Sequence, residues 1–504
     1  MGKNPQGDYL YSSLEKTLER ISLDFGNSSD LIIKNAVVMG KNIGIVMCEG
    51  MASTGLFSEG IMLPILEIAK EDAKVVSSIE LFERIKTSIV LLPDQKEEEN
   101  FSSFYNLIMS GYVGIIVDGL PKVLLVGLQG YSYRGVGEVT TEANVRGSKE
   151  GFVENLKVNQ TLIRRRLKSP KLRFINRTIG SKSNTLISIC YLEGAVSQNL
   201  LNNILSEIEL ELENMPEIVL NSGYLRPYLE RKPYSLFGGT GITERPDNLC
   251  AKIGEGRVGI IVDGTPFALI VPYLFTEHFQ SMDDYAYRSY FALFLRLLKL
   301  ISFFASILLP GIYVACVSFH PELIPEALLF NIASAEETTP FPIIFEAILI
   351  NILYEIMREA GLRLPKEVGH AVSIVGAIVI GDAAVSAGLA SAPMVMVVAL
   401  TAISAFAVQS LYEEICVLKF LFIIAGGMLG FFGIAVLFCV VVLEICSVNC
   451  FGLPFSSPLS PFSFRAMGDV FLRLPWRSLA KSKMKIQSLR ASEVSFWRGG
   501  EENE

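Results

Sequence analysis

Histidine is scarce in this chain: three among 504 residues, His278, His320 and His370, each isolated. Metal centres gather His, Cys, Asp and Glu at close spacing, and acid–base catalysis draws on His more than on any other side chain. No such gathering is visible, so the sequence calls for no metal, no cofactor and no enzyme constellation. The eight cysteines (Cys48, Cys190, Cys250, Cys316, Cys416, Cys439, Cys446 and Cys450) form no CxxC pair. They read as small apolar filler in a reducing compartment or in lipid rather than as a disulfide framework. The glycine-rich FGGTG at 237–241 lacks the GK[ST] of a phosphate loop and reads as an irregular surface loop. A basic excess is missing as well: the net charge is −8, which argues against a nucleic-acid partner. The first residues, MGKNPQGDYLYSSLEK, lack the apolar core of a signal peptide, and Gln6 stands where myristoylation wants Ser or Thr. The N-terminal region is therefore expected on the cytoplasmic side.

Charge is thin and unevenly spread. Charged residues make up 19% of the chain, and 293–450 holds 18 of the 96, against 13 in the 54 residues that follow. That excludes a single soluble globule and a disordered chain alike. The expected architecture is an α/β soluble N-terminal region with two repeated subdomains, followed by an all-α polytopic membrane domain. The boundaries read as 1–145 and 146–290 for the two cytoplasmic subdomains, 291–450 for the transmembrane helices and 451–504 for a basic cytoplasmic tail.

Two motifs recur in the soluble half. GYVGIIVDGLPKVLLV (111–126) and GRVGIIVDGTPFALIV (256–271) agree at 11 of 16 positions, offset by 145 residues. IGIVMCEG (43–50) and ISICYLEG (187–194) pair at an offset of 144. Same order and nearly the same offset imply two related subdomains. In each, VDG-x-P between apolar runs reads as a hairpin, which makes Asp118 and Asp263 turn residues rather than catalytic ones. Glu150–Lys168 sets Phe152, Leu156, Ile163 and Leu167 on one helical face. The Arg164–Arg166 run could meet phosphate or anionic lipid, but a solvated helix end is the better reading.

Beyond residue 290 come long apolar runs. Leu300–Phe319 is twenty residues without a charge, enough to cross about 30 Å of hydrocarbon. Ala371–Ala390, Pro393–Tyr412 and Phe420–Leu443 are three more candidate spans. Phe341–Arg358 is polar on one face, through Asn351, Glu355 and Arg358, with Glu346 opposite. It either lies at the interface or turns that face into a bundle or a water-filled lumen. Residues 461–490 carry seven basic residues against one acid, while 320–340 carries four glutamates and no base. The positive-inside rule puts the tail in the cytoplasm and that loop outside, so the crossings must be even in number. Counting Phe341–Arg358 gives five. Either that segment does not cross, or 420–450 is a hairpin bent at Gly426-Gly427 and Gly430.

Several stretches form a pattern: GSKEGFVENLKVNQTLIRRRLKSPKL (147–172), TERPD (243–247), VGIIVDGTPFALIVP (258–272), FHPELIP (319–325), REAGLRLPKEVGHAVSIVGAIVIGDAAVSAGL (358–389) and FGLPFSSPLSP (451–461). In this order they resemble the A subunit of the GerA family of spore germination receptors, from about Leu10 into the tail. DVFLRLPW (469–476) resembles the receptor subunits more than a paralogous sporulation-stage protein. The resemblance implies a cytoplasmic N-terminal region, a polytopic domain in the spore inner membrane and a response to nutrient germinants. It also implies a permease-like B subunit and a lipoprotein C subunit as partners, with the A subunit a homo-oligomer, a pentamer, acting as a nutrient-gated ion channel. The chain departs from the family pattern at Ser148-Lys149, at Asp382 and at His370, where family members commonly have Pro-Arg, Gln and Gln.

If 371–390 is a helix, Val375, Val379, Asp382 and Ser386 line one stripe, among neighbours of which many are Gly, Ala or Ser. A ring of such helices would set valine constrictions beside a carboxylate ring that favours cations. The competing view makes Asp382 a protonated or hydrogen-bonded packing residue. Two other functions stand against a channel subunit: a solute transporter, and a non-conducting membrane scaffold of the receptor complex. Inverted repeats would favour transport, but the repeat found lies in the soluble half.

Overall fold

The computed structural model describes residues 8–69, 76–90, 92–130, 141–142, 144–211, 215–230, 235–364, 381–464, 466–475, 477, 485–489 and 492. Two five-stranded sheets form the centre of the N-terminal half. The first contains β1 (Leu31–Val38), β2 (Lys41–Cys48), β3 (Gln95–Glu98), β4 (Tyr112–Val117) and β5 (Val123–Gly127). The second contains β6 (Leu172–Ile179), β7 (Thr185–Leu192), β8 (Gly241–Thr243), β9 (Val258–Val262) and β10 (Ala268–Val271). Their orders are β1-β2-β4-β5-β3 and β6-β7-β9-β10-β8, the same succession in each. All pairs are antiparallel: hairpins join β1 to β2, β4 to β5, β6 to β7 and β9 to β10, and longer connections carrying helices join the other neighbours.

Helices cover both faces of each sheet, which is why the central strands are apolar throughout rather than alternating. In the first unit α1 (Leu14–Asp24) and α2 (Phe101–Ile108) set Leu14, Leu18, Ile21 and Phe104 against Val46, Ile116 and Val123. Ile61, Ile65, Leu81 and Phe82 cover the other face. In the second unit α3 (Leu156–Arg166) and α5 (Pro246–Gly254) cover one face. Between them in sequence, α4 (Gln198–Glu211) covers the other through Leu200, Ile204 and Ile208.

The repeated aspartates work alike. Asp118 accepts from the Leu14 N–H and Asp263 from the Leu156 N–H, both at 3.0 Å, so each VDG turn caps the helix that opens its unit. The next residue repeats the pattern, with Gly119 donating to Ser12 O and Gly264 to Glu154 O at 2.8 Å. This is the turn role expected of both.

Three local expectations are corrected. The helix expected over 150–168 is only Leu156–Arg166, because Asn155 caps it through the Lys157 and Val158 N–H groups; Phe152 is buried in the extended approach. FGGTG is not a surface loop, since Thr240 is buried and Gly238 and Gly239 lie against Glu230 and Cys450. Arg164 is not solvated: it is 1% exposed and holds Asp30 of the first unit through Nε and Nη2, both at 2.8 Å. Arg165 and Arg166 pair with Glu150 instead of an external anion.

The second half is a helical bundle: α6 (Ser289–Phe319), α7 (Glu326–Glu336), α8 (Ile343–Arg363), α9 (Ala392–Phe406) and α10 (Tyr412–Ser447), with a short helix at 381–386. Among the described residues, two segments, Ser289–Phe319 and Gln409–Ser447, are long and apolar enough to cross a membrane. The second is no straight rod. Gly430 has φ 60° and ψ −146°, and a Cβ placed on Gly433 would lie 2.5 Å from Ala425 O. Eight residues of straight helix would separate those two by about 12 Å. The chain reverses at Gly430, and 412–429 and 431–447 run antiparallel. Their outer ends return to the second soluble unit, Glu413 at Arg226 and Glu444 at Ser235 and Leu236. Residues 420–443 are therefore two antiparallel helices, the hairpin of the two alternatives that the sequence leaves open for this run.

Helix α6 packs along both halves. Gly311 faces Phe422, where a Cβ would sit 2.5 Å from the carbonyl oxygen, and Gly426 meets the Gly311 carbonyl. Glycine at both positions lets the backbones approach this closely. Phe319 lies at the Gly430 turn and Phe304 stacks near Phe438, so α6 runs the full length of the hairpin.

The chain after the bundle turns back onto the second soluble unit. Phe451, Leu453, Ile486 and Leu489 join its core, and Gln487 donates to Ala195 O at 2.8 Å.

Candidate functional site

Helix α8 brings its polar face inward, against the near half of α10. Glu355 accepts from Lys419 Nζ at 2.9 Å and from the Tyr412 hydroxyl at 2.7 Å. Arg358, one turn on, lies 4.0 Å from Glu355 and stacks 3.4 Å over the Tyr412 ring. Lys419 is almost fully buried. A buried pair of this kind adds little net stability, but losing one partner strands the other charge, so it sets the register of α8 on α10. Asn351 is buried a turn earlier and donates along its own helix to Ala347 O at 2.8 Å. Of the two settings open to this helix, the structure has the bundle and not a flat surface position.

The opposite face of α8 is occupied as well. Glu346 is fully buried and accepts from the Ser391 N–H at 2.6 Å and its hydroxyl at 2.7 Å, capping α9. Sequence reasoning missed Lys419, Tyr412 and Ser391 as partners. Lys419 carries a visible signal, being the charge that stands immediately before the apolar run 420–443.

Of the expected stripe, Val375 and Val379 lie outside the described residues. Asp382 and Ser386 are exposed on the helix at 381–386, while Ala384 between them is buried with Val314, Ile350, Met394 and Ile423. This helix thus has an apolar inner side and an outer side carrying the carboxylate and the hydroxyl.

Where bundle, second soluble unit and tail meet there is a cavity of about 1140 Å³, walled by Glu142, Arg257, His278, Arg358, Tyr412 and Asp469 among others. Glu277 there receives Lys252 and Arg257, each at 2.5 Å. Burial would raise its carboxyl, but Arg257 and Lys252 outweigh it and hold the group below the usual range. Both His278 ring nitrogens are out of solvent contact, and burial, then Arg226 and Lys252, push its pKa down to about 3. Glu142 goes the other way, to about 7, driven by burial against the Thr243 hydrogen bond and Arg245. One side of this junction is an ion network: Arg296 of α6 bonds Asp284 at 3.0 Å, Asp469 O at 2.8 Å and Val470 O at 2.9 Å. It ties the soluble half and the tail to the first turns of α6.

The family model for the Bacillus/Clostridium GerA spore germination protein matches residues 19–484. The chain is 36% identical to spore germination protein KA of Bacillus subtilis (strain 168) over 92% of its length and 85% of that protein. It is 30% identical to spore germination protein GerLA of Bacillus cereus, over 96% of the chain and 98% of that protein. It is also 34% identical to an uncharacterised membrane protein, YfkQ, of Bacillus subtilis (strain 168), over 93% of the chain and 90% of that protein. Among solved structures, the N-terminal domain of the A subunit of the Bacillus megaterium spore germinant receptor GerK3 is 26% identical, covering 53% of this chain and 97% of that domain with a TM-score of 0.40. With a family match across nearly its whole length and relatives aligned over most of theirs, the chain belongs to the GerA family of spore germination proteins.

Proposed function

We propose that this protein is the A subunit of a nutrient germinant receptor in the spore inner membrane, where copies of it assemble around an ion path lined by Asp382. The observation that carries the reading is the exposure of Asp382 and Ser386 on a bundle whose neighbouring helices are apolar enough for lipid. A carboxylate turned to hydrocarbon costs several kcal/mol, so that face meets water or other copies of the chain. A ring of such carboxylates attracts cations and repels anions. Small residues beside Asp382 support close assembly, and the family membership supports the B and C subunits as partners. The domain boundaries at 145, 290 and 450 belong to this proposal, as do cytoplasmic positions for the soluble half and the tail. The reversal at Gly430 supports an even number of crossings, with the two halves of α10 as separate passes.

The test is genetic. Spores lacking this subunit are complemented with the natural chain or with Asp382→Asn, and nutrient-triggered germination is timed. The proposal expects normal levels of the variant protein with germination slowed at least roughly tenfold, a barrier change of about 1.4 kcal/mol. Unchanged timing at normal protein level would remove Asp382 from the path.

A further inference from the structure

We infer that the loop between Phe455 and Leu474 is an interfacial membrane anchor, resting on a lipid surface with anionic headgroups beside the base of α6. Both ends of the loop are pinned. Phe455 is buried against Phe237 and Phe275, and its carbonyl accepts from the Phe275 N–H at 3.0 Å. At the other end Asp469 is held by Arg296, by the Tyr285 hydroxyl at 3.0 Å and by Gln280 at 2.9 Å. Arg473 is buried and donates to the carbonyls of Tyr285 and Tyr287. The anchoring Arg296 is in the second turn of α6, just before the uncharged run 300–319 begins. The loop therefore sits at the level where that helix would leave the headgroups.

Between its pins the loop turns large apolar groups outward. Phe464 is 85% exposed, Phe462 52% and Leu472 53%, while Ser463 points inward. Near Arg296, the first turns of α6 expose Tyr290, Phe291 and Phe294 as well. Aromatics gathered at one depth are the signature of a membrane–water interface, and a fixed apolar cluster of this size is a liability in water. Arg288, just before α6, is exposed and suits anionic headgroups. Continuity with the apolar start of α6 favours lipid over a protein partner as the occupant. A sequence stretch that reads as a basic, solvated tail thus carries an apolar contact surface.

The experiment places the full chain in nanodiscs containing anionic lipid, with Trp476→Phe and Trp497→Phe removing the native indoles and Phe464→Trp as the probe. The inference expects lipids brominated near the carbonyl end of the acyl chain to cut emission by roughly twofold, and acrylamide access to fall, as for a group a few ångströms below the headgroups. Leu472→Trp in the same background repeats the measurement should the first variant misfold. Strong acrylamide quenching without a bromolipid effect would overturn the inference in favour of a solvated loop. Protection from both quenchers would overturn it in favour of a protein cover.

Discussion

Arg164 belongs to a run of three arginines that reads as a solvated helix end, yet its charge is spent inside the protein on Asp30. The partner lies 134 residues away, and no spacing rule reaches that far; only the fold brings the second unit against the first. The aspartates of the VDG turns were legible because their hydrogen bonds follow from a local motif that occurs twice. Arg164→Met leaves Asp30 buried without a counter-charge and is expected to destabilise the soluble half by about 3–5 kcal/mol in denaturant unfolding of the full chain. Replacing Asp30 by Leu as well should recover most of that loss, and a single-variant cost below about 1 kcal/mol would mark the pair as solvated. The junction cavity gives a pH prediction. His278 has a depressed pKa of about 3, so its contribution is complete above the unfolded value near 6.5 and is lost as pH falls below it. Glu142, raised to about 7, contributes below its unfolded value and loses that contribution as pH rises through 7. The two oppose each other between pH 5 and 7, so the natural protein alone does not separate them. His278→Gln should make the thermal midpoint fall less than that of the natural protein on acidification from pH 7 to 5, and an equal fall in both would show that His278 is not buried neutral.

Among the elements, the sheets were foreseeable, while for the last helix the sequence leaves a single span and a hairpin both open. Alternating β-branched runs and a repeat at near-constant offset lead directly to two sheets of identical strand order. The run 420–450 offers no charge to mark its middle, so one long span and a hairpin look alike in hydropathy. The deciding feature is backbone geometry at Gly430, in a region of φ and ψ that side chains avoid. Gly430→Val is expected to cost about 1–3 kcal/mol in strain and to lower the yield of monodisperse protein. A sharper check uses cysteine accessibility in a background without the exposed Cys439 and Cys446. In intact cells Phe432→Cys should be labelled from outside, while Glu413→Cys and Ser447→Cys react only after permeabilisation. A straight crossing would instead put positions 413 and 447 on opposite faces. The ion pairs of α8 were half legible: its polar face was evident, but Lys419 and Tyr412 as the answering groups come from the packing of α10.

At the scale of the whole molecule, three parts converge on one junction: the second soluble unit, the near end of the bundle and the returning tail. Arg296 links all three through Asp284 and Asp469. A change in the soluble half is thereby set against the base of α6, which runs the length of the α10 hairpin. The resemblance in sequence pointed to the family, whereas the proposed assembly of copies would use surfaces that one chain leaves open, among them the Asp382 side of the helix at 381–386. The central claim is that this side lines a cation path, and it is tested most directly by reversal potential. The purified receptor complex is placed in a planar bilayer under a salt gradient, with nutrient on and off. The account predicts a nutrient-dependent conductance that prefers cations, and a reversal potential that shifts toward zero in Asp382→Asn with assembly unchanged. A nutrient-dependent conductance with the same reversal potential in both proteins, or no conductance from a complex that binds nutrient, would contradict it.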